Sequence, residues 1–270
     1  MDELIVDASA LAAQLDDPGV HAVDVREEWE FDAMGHVPGA VNVPFETYRD
    51  EGDADVGHLP GAERFAEVIG EAGLTRSDTL VAYDDTNGVF AARFLVTALV
   101  YGFENVHLLN GDFSAWQREH AVGSDPVDLP ETDVDPRRLP NEQTPIVDAD
   151  YVREKIEAAR AGKAGSVALV DTRDADEYGA GHLPGAVRFD WQEAVDPETR
   201  GVKSKVEIRE LFAERGITPD DTVILYCNTA RRLSHTYVAL RWAGFANVAI
   251  YEGSLTEWRE IGGELVTDEA

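Results

Sequence analysis

Short apolar runs alternate along the chain with stretches whose apolar residues recur at helical spacing. In the second half, apolar runs within 166–172, 222–227 and 247–253 predict buried strands. The stretches 206–216 and 234–244 predict helices, and each ends in a glycine, a common helix stop. Strands that alternate with helices favour right-handed crossovers, so we predict an α/β fold with a parallel sheet flanked by helices on both faces.

The first half of the chain carries the same pattern, with much of the same sequence. The repeated segments are "AVDVREEWEFDAMGHVPGAVNVPF" (22–45) with "LVDTRDADEYGAGHLPGAVRFDW" (169–191), "SDTLVAYDDTNG" (77–88) with "DDTVILYCNTAR" (220–231), and "YGFENVHLLNGDFSAW" (101–116) with "AGFANVAIYEGSLTEW" (243–258). Solenoid repeats are far shorter, so this repeat indicates two homologous domains of ordinary size.

The stretch between the two copies follows neither periodicity. Residues 123–144 contain four prolines and no aromatic residue, and their apolar positions show little regularity. This composition is typical of a connection between domains. We predict a first domain at 1–122, a linker at 123–144 and a second domain at 145–270.

The charge balance is strongly acidic: 53 acidic residues against 23 basic ones give a formal net charge of −30. The basic set contains only four lysines, and the carboxylates are dispersed along the chain. Self-repulsion of this size is screened in concentrated salt, where the Debye length falls to about 3 Å at 1 M. The composition therefore predicts a halophilic protein. No basic stripe is present to meet phosphates, so nucleic acid is not expected as a partner.

Two further compositional features restrict location and chemistry. No apolar run approaches the ~18 residues of a membrane span, and the N-terminus lacks the basic and apolar regions of a signal peptide. We expect a cytoplasmic protein without a membrane partner. Cys227 is the only cysteine, which rules out an intramolecular disulfide and a zinc site with two cysteines in one chain.

Cys227 lies where a predicted strand ends, in "VILYCNTARRLSHTY". Parallel sheets bind ligands beyond the carboxyl ends of their strands, and the N–H groups at a following helix start favour an anion. Cysteines so placed have pKa values lowered to about 3.5–7.5. Arg231 and Arg232 add positive charge. A free cysteine is most often a small buried hydrophobe, but the polar residues after this one favour a nucleophile for a small anionic substrate.

The paired D-x-R…G-H-x-P-G-A motifs, the loop "YCNTARRLS" and the segments "NGDFSAW" and "EGSLTEW" resemble the rhodanese-like sulfurtransferases in their tandem two-domain form. The resemblance covers essentially the whole chain. It implies that Cys227 takes the outer sulfur of thiosulfate or 3-mercaptopyruvate as a persulfide. The sulfur then passes to cyanide, to a thiol or to a sulfur-acceptor protein, with ping-pong kinetics.

The resemblance also implies roles for the residues that follow the cysteine. The substrate-binding loop comprises Asn228, Thr229, Ala230, Arg231 and Arg232, whose N–H groups would cradle the persulfide. Arg232 would stabilise the departing sulfite or enolate oxygen. Neither a metal ion nor an organic cofactor is required.

The first copy carries Tyr83 and Asp84 where the second carries Tyr226 and Cys227. It therefore lacks a nucleophile, and we predict that it is catalytically silent. Aspartate is a good helix N-cap, which suits a loop kept for structure alone. Tandem members of the family are similar, with a silent first domain and an active second one.

Other motif residues are shared by both copies. Asp171 and Arg173 repeat as Asp24 and Arg26, which predicts a buried polar pair at each strand end; Asp171 is also a candidate to orient the active loop. The histidine of "GHVPGA" belongs to the copy without a nucleophile, so we expect this motif's histidines to be structural.

Two positions depart from the family pattern. Glu177 stands where classical thiosulfate and mercaptopyruvate enzymes carry an arginine that holds the donor. Ala230 stands where many family loops have glycine. These departures affect the identity of the donor more than the type of reaction.

Two other functions fit the same fold. Related phosphatases and arsenate reductases place five residues between cysteine and arginine, whereas four separate Cys227 from Arg232. A non-catalytic interaction module usually loses its cysteine, as the first copy has done. Sulfur transfer is the function that the sequence favours.

Overall fold

A computed structural model describes residues 3–50, 58–125, 127, 129–162 and 166–267. These residues form two compact units. The first unit contains the described residues up to 50, Leu59–Pro140 and Asp196–Val202, and the second contains His58, Asn141–Val195 and residues 203–267. None of the helices in this part of the chain is long and apolar enough to cross a membrane.

The first unit is a five-stranded sheet with five α-helices and a short 3₁₀ helix at Phe45–Tyr48. Its elements are β1 (Ile5–Val6), α1 (Ala8–Ala12), β2 (Val20–Asp24), α2 (Glu28–Met34), β3 (Val41–Asn42), α3 (Ala62–Glu71), β4 (Thr79–Tyr83), α4 (Val89–Val100), β5 (Val106–Leu109) and α5 (Asp112–Glu119). The strand order is β1-β5-β4-β2-β3, and all the pairings are parallel.

The second unit repeats this plan, with 3₁₀ helices at Asn141–Gln143 and Trp191–Ala194. Its elements are β6 (Ile146–Val147), α6 (Ala149–Arg160), β7 (Val167–Asp171), α7 (Ala175–Gly179), β8 (Val187–Arg188), α8 (Lys205–Ala213), β9 (Thr222–Tyr226), α9 (Arg231–Trp242), β10 (Val248–Tyr251) and α10 (Ser254–Glu260). The order β6-β10-β9-β7-β8 is again parallel throughout, with β9 at the centre.

Successive strand residues face opposite sides of a sheet, so each sheet has two apolar faces. Helices cover both of them. In the second unit, Ile224 and Tyr226 pack with Trp258 of α10 on one face. The other face carries an aromatic cluster in which Phe212 contacts Phe189 and Phe245. The predicted fold, two α/β domains with parallel sheets, is confirmed.

One element differs from the sequence prediction in a way that matters for the site. Helix α9 begins at Arg231, three residues before the predicted start at 234. Ala230, the N-cap, takes a left-handed conformation with φ +62°, which turns the chain into the helix immediately. Arg231 and Arg232 therefore lie in the first helical turn, and the loop itself is Cys227–Ala230.

Residues of the segment that we predict as a linker form backbone hydrogen bonds with the first unit. The Thr132 N–H donates to the carbonyl of Gly70 at 3.0 Å, and the Leu139 N–H donates to that of Val100 at 2.9 Å. Residues 126 and 128 lie outside the described part of the chain. The boundaries at 122 and 145 stay a prediction.

Candidate active site

Cys227 occupies the first position after β9, the central strand of the second sheet. Cys227 is only 1% exposed. Both sides of its backbone are held by the start of α10: the Cys227 N–H donates to Ser254 Oγ at 3.2 Å, and the Cys227 carbonyl accepts from the Leu255 N–H at 3.1 Å. The nucleophile candidate is therefore fixed by a second element as well as by its own strand.

The loop after Cys227 is short and tightly bonded. Thr256 Oγ1 donates to the carbonyl of Asn228 at 3.0 Å, and Ser234 Oγ donates to that of Ala230 at 2.7 Å. Helix α9 starts directly behind the loop, and the first N–H groups of a helix have no partner within it. This arrangement suits a negative charge on the atom at the strand end.

Glu177, in the first turn of α7, accepts hydrogen bonds from two side chains of this region. Its carboxylate accepts from Asn228 Nδ2 at 2.7 Å, and from Arg232 Nη1 and Nη2 at 2.5 and 2.9 Å. Glu177 and Arg232 are partly exposed, with 29% and 25% of their side-chain surface accessible. Glu177 thus lies at the surface beside the loop, and it neutralises Arg232.

The charges of this pair support each other. The hydrogen bonds from Arg232 lower the pKa of Glu177 from 4.5 to about 2, against the opposing effect of partial burial. Burial disfavours the charged form of Arg232, but its hydrogen bonds to Glu177 and the proximity of Cys227 raise the pKa of the guanidinium above its ordinary value. Both groups are ionised at neutral pH.

The structure brings the predicted loop residues together around Cys227. Arg231 Nη2 donates to Thr229 Oγ1 at 3.3 Å, so this guanidinium folds back on the loop. Arg232, which we predict to stabilise the leaving group, is bound by Glu177 through both Nη atoms. The sequence does not predict that partner, although Glu177 departs from the family pattern.

Asp171 and Arg173 lie one strand away, at the end of β7. The Asp171 carboxylate accepts from Arg173 Nε at 2.9 Å and from Nη2 at 2.7 Å, and Arg173 Nη2 also donates to the carbonyl of Gly181. Both residues are almost completely buried. In the sheet Asp171 pairs with Tyr226, the residue before the nucleophile. Their contacts brace the strand end.

The motif histidines make equivalent contacts in the two units. His182 stacks on Tyr178 with a centroid separation of 3.7 Å, and its Nδ1 lies 3.0 Å from the Tyr178 carbonyl. His36 stacks on Phe31 at 3.8 Å, with Nδ1 at 3.1 Å from the Phe31 carbonyl. Because the geometry is the same in the unit without a cysteine, these contacts serve the turn.

The corresponding loop of the first unit contains a fully buried carboxylate. Asp84 Oδ1 accepts from the N–H groups of Thr86 and Gly88, both at 2.8 Å. Asp84 Oδ2 accepts from those of Phe90 at 2.7 Å and Ala91 at 3.0 Å. Burial raises the pKa of Asp84 from 3.8 to about 6, although the four N–H groups favour its ionised form. This loop is an anion cradle that its own side chain occupies.

Ser254 and Thr256 were not among the predicted site residues. The signal for them was the repeated segment "EGSLTEW", which matches "NGDFSAW" in the first copy. There Asp112 takes the place of Ser254, and its Oδ2 accepts from the N–H of Asn87, a residue of the Asp84 loop. In both units the start of the last helix therefore holds the loop after the central strand.

Comparisons with known proteins agree in one family. The model of the rhodanese-like domain matches residues 7–119 and 148–261. The thiosulfate sulfurtransferase of Corynebacterium glutamicum is 32% identical over an alignment 277 residues long, gaps included, and the alignment covers 95% of this chain and 87% of that protein. That of Pseudomonas aeruginosa is 33% identical over 264 residues, with 94% and 93% covered.

A solved structure is similar over both units. The crystal structure of SseA from Escherichia coli, described with the rhodanese fold and the catalytic mechanism of 3-mercaptopyruvate sulfotransferases, has a TM-score of 0.81. It is 27% identical and covers 93% of this chain and 98% of its own. The similarity therefore extends through both halves of the chain.

Proposed function

The chain belongs to the rhodanese-like family and is a sulfurtransferase of the thiosulfate type, and we propose that it moves sulfur through a persulfide on Cys227. The donor is thiosulfate, with 3-mercaptopyruvate as the alternative. The acceptor is a thiophilic molecule such as cyanide or a thiol, including a thiol of an acceptor protein.

The observation that carries this proposal is the pair of equivalent loops in one chain. At the end of the central strand of the first unit, four backbone N–H groups bind the Asp84 carboxylate. Cys227 holds the same place in the second unit, ahead of a helix that starts sooner. A thiolate or a persulfide there would meet the same kind of N–H donors, which favour its negative charge.

The first half-reaction forms the persulfide. The Cys227 thiolate attacks the outer sulfur of thiosulfate, a new S–S bond forms, and the S–S bond of the donor breaks with its electron pair leaving on sulfite. The backbone of the loop is already fixed by Ser254 and Thr256, so little reorganisation is needed. The Arg232 side chain moves from Glu177 to the leaving group and stabilises its charge.

The second half-reaction returns the enzyme to its starting state. Cyanide attacks the outer sulfur of the persulfide, thiocyanate leaves, and the electron pair of the broken S–S bond restores the Cys227 thiolate. A thiolate acceptor reacts in the same way and leaves as a persulfide. The two steps share no ternary complex, so initial rates should follow ping-pong kinetics.

Intact-protein mass spectrometry in concentrated KCl tests the proposal. The protein is measured before and after incubation with thiosulfate and, separately, with 3-mercaptopyruvate. Because Cys227 is the only thiol, a gain of one sulfur atom that cyanide removes identifies the carrier. A folded protein that gains no sulfur from either donor would contradict the proposal and favour a binding module.

A further inference from the structure

The contacts of the Glu177 carboxylate are not those of a helix-capping residue. In the first unit the equivalent Glu30 belongs to a capping box, in which its carboxylate accepts the Glu27 N–H at 3.1 Å. In the second unit Asp174 caps the helix and accepts the Glu177 N–H at 2.8 Å. The Glu177 carboxylate instead binds the active loop through Asn228 and Arg232.

The consequence is a fixed negative charge beside the nucleophile. Arg232 is close enough to Cys227 to interact with it electrostatically, and Glu177 binds the guanidinium of Arg232 directly. An anionic donor that reaches Cys227 therefore approaches both charges of the pair. The attraction of Arg232 is offset by the repulsion of Glu177, and the repulsion grows with the charge of the donor.

We propose that Glu177 is a specificity-determining residue, whose carboxylate reduces the preference of the site for dianionic over monoanionic sulfur donors. This inference rests on the proposed function. Thiosulfate is a dianion at neutral pH, and 3-mercaptopyruvate carries one carboxylate charge. A fixed charge acts on the dianion with twice the energy that it exerts on a monoanion at the same distance. Its removal should therefore help thiosulfate more.

Glu177→Gln removes the charge and keeps an oxygen that can accept from Arg232 or Asn228. The rate constant for persulfide formation at low donor concentration should rise about threefold for 3-mercaptopyruvate and about tenfold for thiosulfate, since doubling an energy squares the factor. Both rates are measured by quenched-flow mass spectrometry. Increasing KCl should bring the factors by which Glu177→Gln raises the two rate constants closer together, because salt screens partly exposed charges.

Two further variants make the test specific. Glu30→Gln removes the same charge from the equivalent position of the first unit, and it should leave both rate constants unchanged. Glu177→Asp keeps the charge with a shorter side chain, and it should keep the wild-type ratio between the donors. Circular dichroism in the assay buffer establishes that each variant is folded.

The outcomes separate this inference from the proposed function. If wild-type protein gains sulfur but Glu177→Gln changes both donors by the same factor, Glu177 does not select by charge. An equal shift of the ratio in Glu177→Asp and Glu177→Gln would also overturn the inference. A wild-type protein that gains no sulfur would overturn the proposed function and this inference with it.

Discussion

The two loops that follow the central strands show how one fold uses the same turn in two ways. In the first unit the turn is filled by the Asp84 carboxylate, which binds four backbone N–H groups. In the second unit the strand ends in Cys227, and the loop is held from outside by Glu177, Ser254 and Thr256. The fold supplies an anion-binding turn in both cases, and the residue at the strand end decides its use.

The loops also differ in length by one residue. Asp84 lies four positions before its N-cap Gly88, and Cys227 lies three positions before its N-cap Ala230. The longer loop can wrap both oxygens of a carboxylate, whereas the shorter one suits a single sulfur atom. Phe90 takes the place of Arg232, and its ring packs on Phe45 at 5.1 Å. The first loop therefore lacks the thiol and the cation together.

The most severe way to test this comparison is to remove the thiol. We expect Cys227→Ser to reduce thiosulfate turnover at least about a thousandfold, because the serine oxygen cannot carry the transferred sulfur. Steady-state assays with cyanide and intact mass spectrometry provide the measurement. The matched change in the first unit, Asp84→Asn, should retain turnover. A Cys227→Ser protein with more than a tenth of the wild-type rate would remove this cysteine from the mechanism.

The stability of the first loop should depend on pH in an unusual direction. Burial raises the pKa of Asp84 from 3.8 to about 6, so the folded state holds its proton more tightly than the unfolded state. Between these values a rise in pH ionises only the unfolded state and favours unfolding. The Asp84 contribution is therefore largest below pH 4, falls by about 3 kcal/mol up to pH 6, and is constant above it.

The Asp84→Asn variant isolates this effect, because its amide does not titrate. Unfolding free energies of the two proteins are measured between pH 4 and 7 at one KCl concentration, and the wild-type value minus the variant value should fall by about 3 kcal/mol as the pH rises. Other carboxylates change both proteins alike. A difference in unfolding free energy that stays constant from pH 4 to pH 6 would contradict the raised pKa of Asp84.

The sequence was sufficient to predict the fold, because the two halves of the chain repeat the same alternation of strand and helix patterns. The three strands and two helices that we predict in the second unit lie within about three residues of β7, β9, β10, α8 and α9. What could not be predicted is long-range side-chain pairing. The bonds of Glu177 to Asn228 and Arg232, and that of Ser254 to Cys227, join residues distant in the chain. Neither periodicity nor spacing encodes such contacts.

A smaller effect is expected from the cation of the active loop. Arg232→Ala should lower kcat/KM for thiosulfate about 30-fold, because the leaving group loses its cation and the unpaired Glu177 repels the donor. The double variant Arg232→Ala/Glu177→Ala removes both charges and should recover part of the loss. Steady-state kinetics check both proteins. A double variant as slow as the single one would mean that Glu177 repulsion plays no part.

The smallest expected effect concerns the N-cap residues of α4 and α9. They are equivalent in position, but one is Gly88 and the other is Ala230. Ala230 adopts φ +62°, a conformation that strains a residue with a Cβ, and Gly88 adopts φ +82°. Ala230→Gly should raise the unfolding free energy by about 0.5–1 kcal/mol, because the relief of strain exceeds the added freedom of the unfolded chain. Turnover should stay within about twofold, since the loop backbone already has this shape.

The reverse change should have the opposite sign. A Cβ on Gly88 would lie 3.3 Å from Leu108 Cδ1 in addition to requiring a positive φ, so Gly88→Ala should cost about 1–2 kcal/mol. Denaturant unfolding of both variants in KCl gives the comparison. A loss of stability in Ala230→Gly would mean that the Ala230 methyl, which is fully buried, contributes more through packing than its conformation costs. The active loop would then differ from the silent one in its packing as well as in its chemistry.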